Sequence, residues 1–454
     1  MTAPDDLAPH LREWRGRGVG HTPFMALPET TQDLAFVVAQ CAAAGVPMTT
    51  QGGNTGLVGG QIPQGEVLVS LKRLNRIRAV DVAGDAITVE AGVVLTTLHE
   101  AAAAHDRHFP LSLASQGSAT IGGLISTNAG GVHVLRYGMM RDLVLGIEAV
   151  LPDGAVLHGL KALRKDNTGY DLKHLLIGGE GTLGVVTAAT LRLFPRPRGH
   201  VVAMAALDSA EQAIDLLQTV RAETGALAAF EIMNSVSVAF ATALPGVRAP
   251  FTAPWLALME FESASETGLR DLVETTLGAA IAAGLATDAV VAQSVQAAQD
   301  FWKLRESIPA GHRAVGAPQT SHDTSTPVSA IPAFLKAADA LVERLSPGAR
   351  CVAFGHAGDG NIHYTAIAAS AEAPFPAAAI SAAIHDLAAS FGGSISAEHG
   401  IGVFRRDELP RFKDPAALAM MRAVKQAIDP RGLMNPRAML AHAAAPQDMG
   451  VSAP

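Results

Sequence analysis

The first 200 residues contain short runs of apolar and β-branched residues, separated by glycines and turn dipeptides such as Asp153-Gly154. Runs of this length and composition predict β-strands. The clearest runs are GEVLVSL (65–71), AITVEAG (86–92), LVLGIEAVLPDG (143–154) and LGVVTAATLRLF (183–194). The pattern predicts an α+β domain over residues 1–198.

From about residue 200 the apolar positions change their spacing. Helical spacing, followed further along by more strand-like runs, predicts a second α+β domain over residues 199–395. The FPRPRG segment (194–199) carries two prolines, which interrupt strand pairing, so the boundary is placed there. The runs are SAEQAIDLLQTVRAETG (209–225) and IPAFLKAADALVERL (331–345) for helices, and PWLALMEFE (254–262) and RCVAFGH (350–356) for strands.

Alanine-rich patches resemble low-complexity sequence, but alanine is the strongest helix former. Because AAAAH (101–105) and AALAM (416–420) lie among leucines at helical spacing, they are predicted to be helical. The tail AHAAAPQDMGVSAP (441–454) has no apolar period and two prolines, so it is expected to fray.

The composition bounds the class of protein. The chain has 454 residues, more than a single hydrophobic core usually supports, so two or more domains are expected. Hydrophobic residues make up 49% of the chain and can supply their cores. A net charge of -8 argues against a general polyanion binder, so no nucleic-acid partner is expected. Two cysteines, Cys41 and Cys351, cannot build a disulfide framework or a Cys-rich zinc module. With no secretory signal and no long apolar run, a cytoplasmic protein is expected.

Three loops rich in glycine and small polar residues point to a bound cofactor. Glycine permits positive φ, so successive N–H groups can surround an anion such as a phosphate. The spacing does not fit GxGxxG, and a strand follows the first loop, which weighs against Rossmann and P-loop sites. A flexible surface loop is the alternative for the first loop alone, but three loops favour one extended cofactor. They are TTQGGNTGLVGG (49–60), SQGSATIGGLISTNAGG (115–131) and IGGEGTLGVVT (177–187).

The segment HAGDGNIH (356–363) places a histidine on each side of a predicted turn. Asp-Gly is favoured at the centre of a two-residue type I′ hairpin, which would set His356 directly opposite His363. Directly opposed residues have Cβ atoms roughly 4.5 to 5.5 Å apart, close enough for both rings to bind one ion. Two solvent-facing imidazoles are the alternative.

A third ligand is available in SAEHGIG (396–402), where Glu398 precedes His399. Two imidazoles and a carboxylate leave open positions on a divalent ion, zinc or manganese, as a catalytic site requires. If both residues lay on one strand, His399 would face away from Glu398 and would suit a general base instead. The alternative is a histidine that merely hydrogen-bonds Glu398.

Four segments, taken in order, resemble the FAD-binding domain of the vanillyl-alcohol-oxidase type flavoproteins. They are GGNTGLVGG, GSATIGGLISTNAGG, RYGMMRDLVLGIEAVLPDG and GYDLKHLLIGGEGTLGVVT. With the histidine turn and the EHG motif, the chain is most similar to the D-2-hydroxyacid dehydrogenase branch, which includes D-2-hydroxyglutarate and D-lactate dehydrogenases. The resemblance implies a two-domain α+β fold with a PCMH-type FAD-binding domain and a substrate (cap) domain. Residues 396–454 would return to complete the FAD domain and the active site.

The same resemblance implies which residues hold the flavin. Neither TTQGG nor LASQGS contains a histidine or cysteine for covalent attachment, so non-covalent FAD is expected. The implied cofactor contacts are Gly52, Gly53, Asn54, Thr55 and Gly56 in the first loop, and Gly117, Ser118, Gly123, Ser126, Asn128, Gly181, Val186 and Asn435 elsewhere.

The chemistry implied by the resemblance uses the histidine turn. His356, His363 and Glu398 would bind the metal, His399 would take the hydroxyl proton, and Arg305 in FWKLRESIP would pair with the substrate C1 carboxylate. From the residues alone, Arg305 reads as an ordinary surface ion pair on a helix.

Three positions depart from the hydroxyglutarate-type pattern. Ser321 stands where such proteins commonly have lysine, Thr365 where they have asparagine, and Pro309 where they tend to have a hydroxyl residue. Three polar contacts to a distal carboxylate are therefore expected to be missing or altered, with Ser321 and Thr365 as altered contacts. This weighs against hydroxyglutarate itself as the substrate.

The expected activity is oxidation of a D-2-hydroxy acid to the 2-oxo acid by hydride transfer to flavin N5. A D-lactate or glycolate type dehydrogenase is the alternative within the class, and a non-redox metal hydrolase is the alternative outside it. The electron acceptor would be a quinone, an electron-transfer flavoprotein or a cytochrome, and the candidate assembly is a homodimer.

Overall fold

The computed structural model describes residues 1–13 and 15–440. The predicted fraying of residues 441–454 lies outside this part of the chain. None of the described helices is long and apolar enough to cross a membrane.

The secondary structure confirms the strands and helices predicted from the apolar patterns. The patch 416–420 falls in α15, whereas only residues 101–103 of the patch 101–105 are helical, because α3 ends there. The strands are β1 (Met25–Ala26), β2 (Met48–Gln51), β3 (Val67–Ser70), β4 (Ile77–Asp81), β5 (Ala86–Glu90), β6 (Arg107–His108), β7 (Val144–Val150), β8 (Val156–Gly159), β9 (Val185–Arg192), β10 (Phe194–Pro195), β11 (Gly199–Leu207), β12 (Leu227–Asn234), β13 (Trp255–Ser263), β14 (Asp288–Val291), β15 (Gln319–Ser325), β16 (Arg350–Gly355) and β17 (Asn361–Ile367). The helices are α1 (Pro4–Leu11), α2 (Thr31–Ala44), α3 (Leu95–Ala103), α4 (Ile121–Ser126), α5 (Val134–Tyr137), α6 (Met140–Leu143), α7 (Lys173–Leu176), α8 (Ala210–Thr224), α9 (Ser235–Thr242), α10 (Leu269–Ala282), α11 (Val295–Arg313), the 3₁₀ turn Val328–Ala330, α12 (Ile331–Leu345), α13 (Ala377–Ser390), α14 (Leu409–Phe412) and α15 (Pro415–Ile428).

The N-terminal part is built on two sheets. Five strands pair in the order β4-β5-β9-β7-β8, and a parallel three-stranded sheet has the order β1-β3-β2. Helices α3, α4 and α6 contribute buried residues to the same core as β5, β7 and β9. The three glycine-rich segments connect or overlap these elements, and much of the third, including residues 181–187, is buried.

Of the two prolines in the segment 194–199 that were expected to interrupt strand pairing, the first is itself paired. Pro195 pairs with Arg107 of β6, so the first proline does not interrupt pairing. Pairing breaks over residues 196–198, and β11 begins at Gly199.

A seven-stranded antiparallel sheet with the order β14-β11-β13-β12-β16-β17-β15 dominates the second part. Because side chains alternate along each strand, one face packs on α8, α10, α12 and α13 and the other on α9 and α11. The α11 face carries the polar residues described below.

The chain returns to the N-terminal part after residue 395. Met434 bridges in parallel to Met48, and the Lys425 ammonium donates to the carbonyl of Thr182 at 2.7 Å. Val424 and Ile428 of α15 pack against the core of the five-stranded sheet. This return brings residues 396–402 between the glycine-rich loops and the seven-stranded sheet.

Candidate active site

The histidine turn is longer than the sequence predicts. Phe354, rather than His356, pairs with His363, and the His356 carbonyl accepts the N–H of Asn361 at 3.2 Å. The connection is thus a four-residue loop, 357–360, and the predicted two-residue hairpin is wrong. A type I′ turn needs positive φ at both central residues, whereas Gly360 has a φ of 90° and Asp359 is not among the positive-φ residues described.

The two histidines nevertheless meet, with ring centroids 5.7 Å apart. In the observed register they are diagonal rather than directly opposed neighbours, and diagonal neighbours remain within reach of long side chains. The predicted proximity is correct, although the predicted register is not.

Glu398 completes a candidate metal centre. Its Oε1 lies 3.6 Å from Nε2 of His363, and one ligand atom from each of His356, His363 and Glu398 lies within 4.8 Å of the others. Two nitrogens and a carboxylate oxygen are suitable ligands for Zn²⁺ or Mn²⁺.

Glu398 and His399 do not lie on a strand, so the condition under which they would face opposite ways is not met. Their backbone N–H groups both donate to Oδ2 of Asp323, at 3.1 and 3.0 Å. This bend turns the two side chains the same way, and Nε2 of His399 lies 3.5 Å from Oε1 of Glu398. Asp323 therefore shapes the loop that carries both residues.

Glu231, on β12, holds two of the functional side chains. Its carboxylate accepts from Arg305 Nε at 2.6 Å and from Nδ1 of His356. Burial would raise the pKa of Glu231, but the charges and hydrogen bonds of His356 and Arg305 outweigh burial and lower it to about 2. Because Nδ1 of His356 faces a carboxylate, Nε2, which lies 3.5 Å from Nη2 of Arg305, is the nitrogen that could bind a metal.

Asp323 lies beside Nδ1 of His399, as Glu231 lies beside Nδ1 of His356. Nδ1 of His399 lies 3.2 Å from Asp323 Oδ2, so a proton on Nδ1 would face the carboxylate and leave Nε2 unprotonated. Burial lowers the pKa of His399 to about 4 although Asp323 opposes it, and burial raises the pKa of Glu398 to about 7. At neutral pH the imidazole is thus neutral and can accept a proton.

A second grouping, Asp323, Glu398 and His399, also satisfies the distance requirement for a metal. Oδ2 of Asp323, however, already accepts the two backbone N–H groups of Glu398 and His399. The set with His356 and His363 therefore has the more available ligand atoms.

Arg305 lies on α11 and is only 9% exposed, so reading it as a surface ion pair is wrong. One of its terminal nitrogens, Nη2, is 3.5 Å from Nε2 of His356. Because Nε is occupied by Glu231, the outer edge of the guanidinium remains for a carboxylate.

These residues line one cavity of about 580 Å³. Arg305, His356, His363 and Glu398 form one part of its wall, and Ser112, Gly131 and Val132 of the N-terminal part form another. His399 is not among the lining residues and lies behind Glu398. Further along, the wall consists of Val295, Ala298, Gln299, Trp302, Glu306, Leu113, Ala114, His133, His200 and Glu260.

Ser321 and Thr365, the two predicted substrate contacts, are neighbours in the sheet. Ser321 pairs with Thr365 across β15 and β17, and the Thr365 hydroxyl donates to the Ser321 hydroxyl at 2.9 Å. Neither residue is among those lining the cavity. Pro309 lies inside α11, one turn beyond Arg305.

The glycine-rich loops converge as expected for one extended ligand. A Cβ on Gly52 would meet Thr120 Oγ1 at 2.2 Å, and one on Gly53 would meet the Ser118 carbonyl at 1.9 Å. Across the same region the Asn435 amide donates to the Glu180 carbonyl at 2.8 Å. Only residues without a side chain at 52 and 53 allow the first two loops to approach so closely.

The loops also carry polar atoms that lack partners. Asn54 Oδ1 and Thr120 Oγ1 are buried without a hydrogen bond among the described residues, and so are Thr49 Oγ1 and Ser70 Oγ nearby. Unpaired buried polar atoms are costly, so they suit a polar ligand such as the FAD pyrophosphate and ribityl chain. The residues present fit this cofactor.

The predicted cofactor contacts differ in backbone conformation and in burial. Asn54 and Asn128 adopt positive φ of 59° and 48° within the loops, Gly181 has a φ of 71°, and Asn435 in the C-terminal segment has a φ of 42°. Val186 is buried in the core on β9, which leaves only its backbone for a cofactor. The remaining positions lie along the first two loops, with Thr55, Gly56, Gly123 and Ser126 partly buried and Gly117 and Ser118 exposed.

Sequence reasoning missed Glu231, Asp323 and Glu180. A single carboxylate within the apolar strand run LAAFEIMN (227–234) was a usable signal for Glu231, because a buried charge needs a partner. No comparable local signal marks Asp323, whose partners are distant in sequence.

Two family models match the chain. The model described as "FAD binding domain" matches residues 22–159, and "FAD linked oxidases, C-terminal domain" matches residues 196–439. The second match alone covers more than half of the chain.

Curated relatives match along nearly the whole chain. The mitochondrial D-2-hydroxyglutarate dehydrogenase of Arabidopsis thaliana is 36% identical over 95% of this chain and 77% of that protein. The D-2-hydroxyglutarate dehydrogenase of Xanthomonas citri pv. viticola is 36% identical over 96% of this chain and 93% of its own length. The mitochondrial protein of Bos taurus with the same name is 35% identical over 97% and 81%.

Solved structures share the fold. p-Cresol methylhydroxylase aligns with a TM-score of 0.76 at 15% identity, covering 97% of this chain and 93% of that chain. Alkyldihydroxyacetonephosphate synthase aligns with a TM-score of 0.70 at 17% identity, covering 93% and 77%. These likenesses confirm the two-domain α+β fold of the vanillyl-alcohol-oxidase type.

Proposed function

This chain belongs to the family of FAD-linked D-2-hydroxyacid dehydrogenases, and we propose that it oxidises a D-2-hydroxy acid to the 2-oxo acid with the help of a divalent metal. The observation that carries the proposal is the convergence of Arg305, His356, His363 and Glu398 on one cavity. Family membership makes the chain an FAD-dependent oxidoreductase acting on a CH–OH donor, so the metal-hydrolase alternative is excluded.

Two bound groups would supply chemistry that side chains cannot. When bound, FAD accepts a hydride, and a divalent zinc or manganese ion makes a coordinated hydroxyl more acidic. The glycine-rich loops would hold FAD without a covalent bond, and His356, His363 and Glu398 would hold the metal.

Arg305 would position the substrate through its C1 carboxylate. A planar guanidinium binds a carboxylate with two parallel hydrogen bonds, which fixes the orientation of C2. Because Glu231 already holds Nε at 2.6 Å, the guanidinium cannot rotate freely and its outer edge stays toward the cavity.

His399 would act as the general base. In the reaction the hydroxyl proton moves to Nε2 of His399, the C2–H bond breaks with its electron pair leaving as hydride, and the C2–O bond becomes double. Asp323 beside Nδ1 would stabilise the imidazolium that forms, since the two atoms are 3.2 Å apart.

Anaerobic stopped-flow reduction of the flavin tests this assignment. With saturating substrate, His399→Gln should slow flavin bleaching at least about 100-fold, the typical contribution of a general base. His105→Gln, at an exposed position, is the matched control. Near-normal bleaching in His399→Gln would show that another group takes the proton.

Two substrate types remain to be compared. The names of the relatives favour D-2-hydroxyglutarate, whereas the mutual hydrogen bond of Ser321 and Thr365 favours a short monocarboxylate such as D-lactate or glycolate. Flavin bleaching with the D and L forms of 2-hydroxyglutarate and of lactate separates the two substrate types. Bleaching by L forms alone would overturn the proposed stereochemistry.

Metal dependence has its own test. Treatment with a chelator should abolish flavin reduction while the flavin absorbance is retained, and added Zn²⁺ or Mn²⁺ should restore it. Full activity after exhaustive chelation would remove the metal from the proposal. The class of electron acceptor, the assembly as a homodimer and the location in the cytoplasm stay predictions.

A further inference from the structure

A second group of ligating side chains lies on the same cavity, apart from the histidine turn. Glu260 and Glu262 are two residues apart on β13, so both side chains point to the α11 face of the sheet. His200 on β11 is directly paired with Glu262, and His133 approaches from the N-terminal part. His133, Glu260 and Glu262 therefore place three candidate ligands from two parts of the protein near one point, and His200 contacts Glu260 beside them.

The spacing of these atoms matches a coordination shell. Nε2 of His133 and Nε2 of His200 lie 3.1 and 2.8 Å from Oε1 of Glu260. Ligands bound at about 2.0 to 2.2 Å from one ion lie roughly 3 to 3.5 Å from each other. His133, Glu260 and Glu262 each have a ligand atom within 4.8 Å of the others.

Residues outside the group orient its members. Nδ1 of His133 lies 3.2 Å from the Pro110 carbonyl, which requires a proton on Nδ1 and turns Nε2 toward Glu260. The Tyr137 hydroxyl donates to Glu262 at 2.6 Å. A backbone carbonyl behind one imidazole nitrogen and a donor behind a carboxylate are the supports that metal ligands usually have.

The charges also suit a cation. Both partners of the His133 ring are acceptors, so without an ion the ring must be protonated on both nitrogens. A divalent ion would replace that proton and neutralise the two buried carboxylates.

We propose that His133, Glu260 and Glu262 form a second divalent-cation site, in which His200 supports Glu260. His133, His200 and Glu260 line the cavity, so an ion can reach the group from it. The bound ion would fasten the end of the second glycine-rich loop to the seven-stranded sheet. This site goes beyond the proposed function, because it requires no hydroxy acid chemistry.

Equilibrium dialysis of the chelator-treated flavoprotein against Zn²⁺ tests the site, with bound zinc counted by mass spectrometry. The wild type should bind two ions per chain, Glu262→Gln one, Glu398→Gln one, and the double variant none. Glu306→Gln removes a cavity carboxylate that belongs to neither set, so it should still bind two. Flavin absorbance and circular dichroism verify that each variant is folded.

Glu262→Gln keeps the shape of the side chain, and His200→Gln serves as a second variant because His200 is half exposed. We expect His200→Gln to weaken one of the two sites at least about 10-fold. The site is overturned if the wild type binds one ion that Glu398→Gln removes, since the group is then only an ion-pair network. One ion that Glu262→Gln removes would instead overturn the metal of the proposed function, and no bound ion would overturn both.

Discussion

Glu180 accepts a hydrogen bond from the backbone N–H of Ile401 at 2.8 Å, although 221 residues separate them in the chain. Its other oxygen accepts from Gly402 at 2.7 Å. Glu180 lies in the third glycine-rich loop, and Ile401 follows the loop that carries Glu398 and His399. A buried carboxylate thus joins the candidate cofactor site to the candidate catalytic loop.

Replacing Glu180 should disturb catalysis more than folding. Glu180→Gln leaves one of the two N–H groups without an acceptor, at a cost of about 1 to 3 kcal/mol that a local shift of the 400–402 loop can relieve. We expect flavin reduction to slow about 10-fold while FAD content is unchanged, measured by stopped flow and absorbance. An unchanged rate would mean that the loop is held by its other contacts. Glu223→Gln on the exposed side of α8 is the control.

Glu231 should control both metal affinity and substrate affinity. Glu231→Gln weakens the support of His356 and Arg305 together, so we expect metal affinity to fall about 10- to 100-fold. KM for the hydroxy acid should also rise, whereas Glu274→Gln, a surface carboxylate paired with Arg270, should change neither quantity. Titration with Zn²⁺ and steady-state kinetics measure the two effects. A change in one without the other would separate the roles of His356 and Arg305.

Asp323 should affect the rate more than substrate binding. Asp323→Asn keeps the size of the side chain but removes the charge that would stabilise the proposed imidazolium of His399. We expect flavin reduction to slow about 10- to 100-fold with KM within a few-fold of wild type. In a His399→Gln background the same substitution should have little further effect. Additive losses in the double variant would contradict a shared role.

The stability of the protein should fall in weak acid because of His322. Burial lowers the pKa of this imidazole to about 3, below its unfolded value of about 6.5. The stabilisation is therefore present above pH 6.5 and is lost as the pH falls toward 3, by up to about 1.4 kcal/mol per pH unit. Between pH 6.5 and 5 this amounts to about 2 kcal/mol, measured by urea unfolding at both values. His322→Gln should lose this part of the dependence, whereas His105→Gln should retain it.

The substrate preference should respond to Ser321 and Thr365. The paired substitution Ser321→Lys and Thr365→Asn introduces a cation and an amide where the two hydroxyls meet. We expect the ratio of kcat/KM for D-2-hydroxyglutarate to that for D-lactate to rise at least about 10-fold. No change in that ratio would mean that the distal end of the substrate binds elsewhere. Substitution of exposed Ser390 by lysine is the control for added charge.

The candidate ligands and the candidate base were recognisable because they cluster locally. His356 and His363 are seven residues apart around a turn, and Glu398 adjoins His399, so short motifs contain the candidate ligands and base. The apolar patterns likewise predicted β3, β5, β7, β9, α8 and α12, since alternation and helical spacing are properties of neighbouring residues.

Register and side-chain direction were harder to predict. The Asp-Gly dipeptide favours a two-residue turn, but pairing of Phe354 with His363 imposes a four-residue loop. Neighbouring residues on a strand would point to opposite faces, but Glu398 and His399 lie in a bend, because both of their backbone N–H groups donate to the carboxylate of Asp323. In both cases a tertiary contact outweighs a local preference.

By itself, the sequence determined the α+β class, the loops that suit FAD and the residue types that could bind a metal and accept a proton. Only the tertiary structure decided that Glu231, Asp323 and Glu180 hold those residues, and that His133 and His200 meet Glu260 and Glu262. Buried charges need partners, and those partners come from strands and loops distant in sequence, which local patterns do not specify.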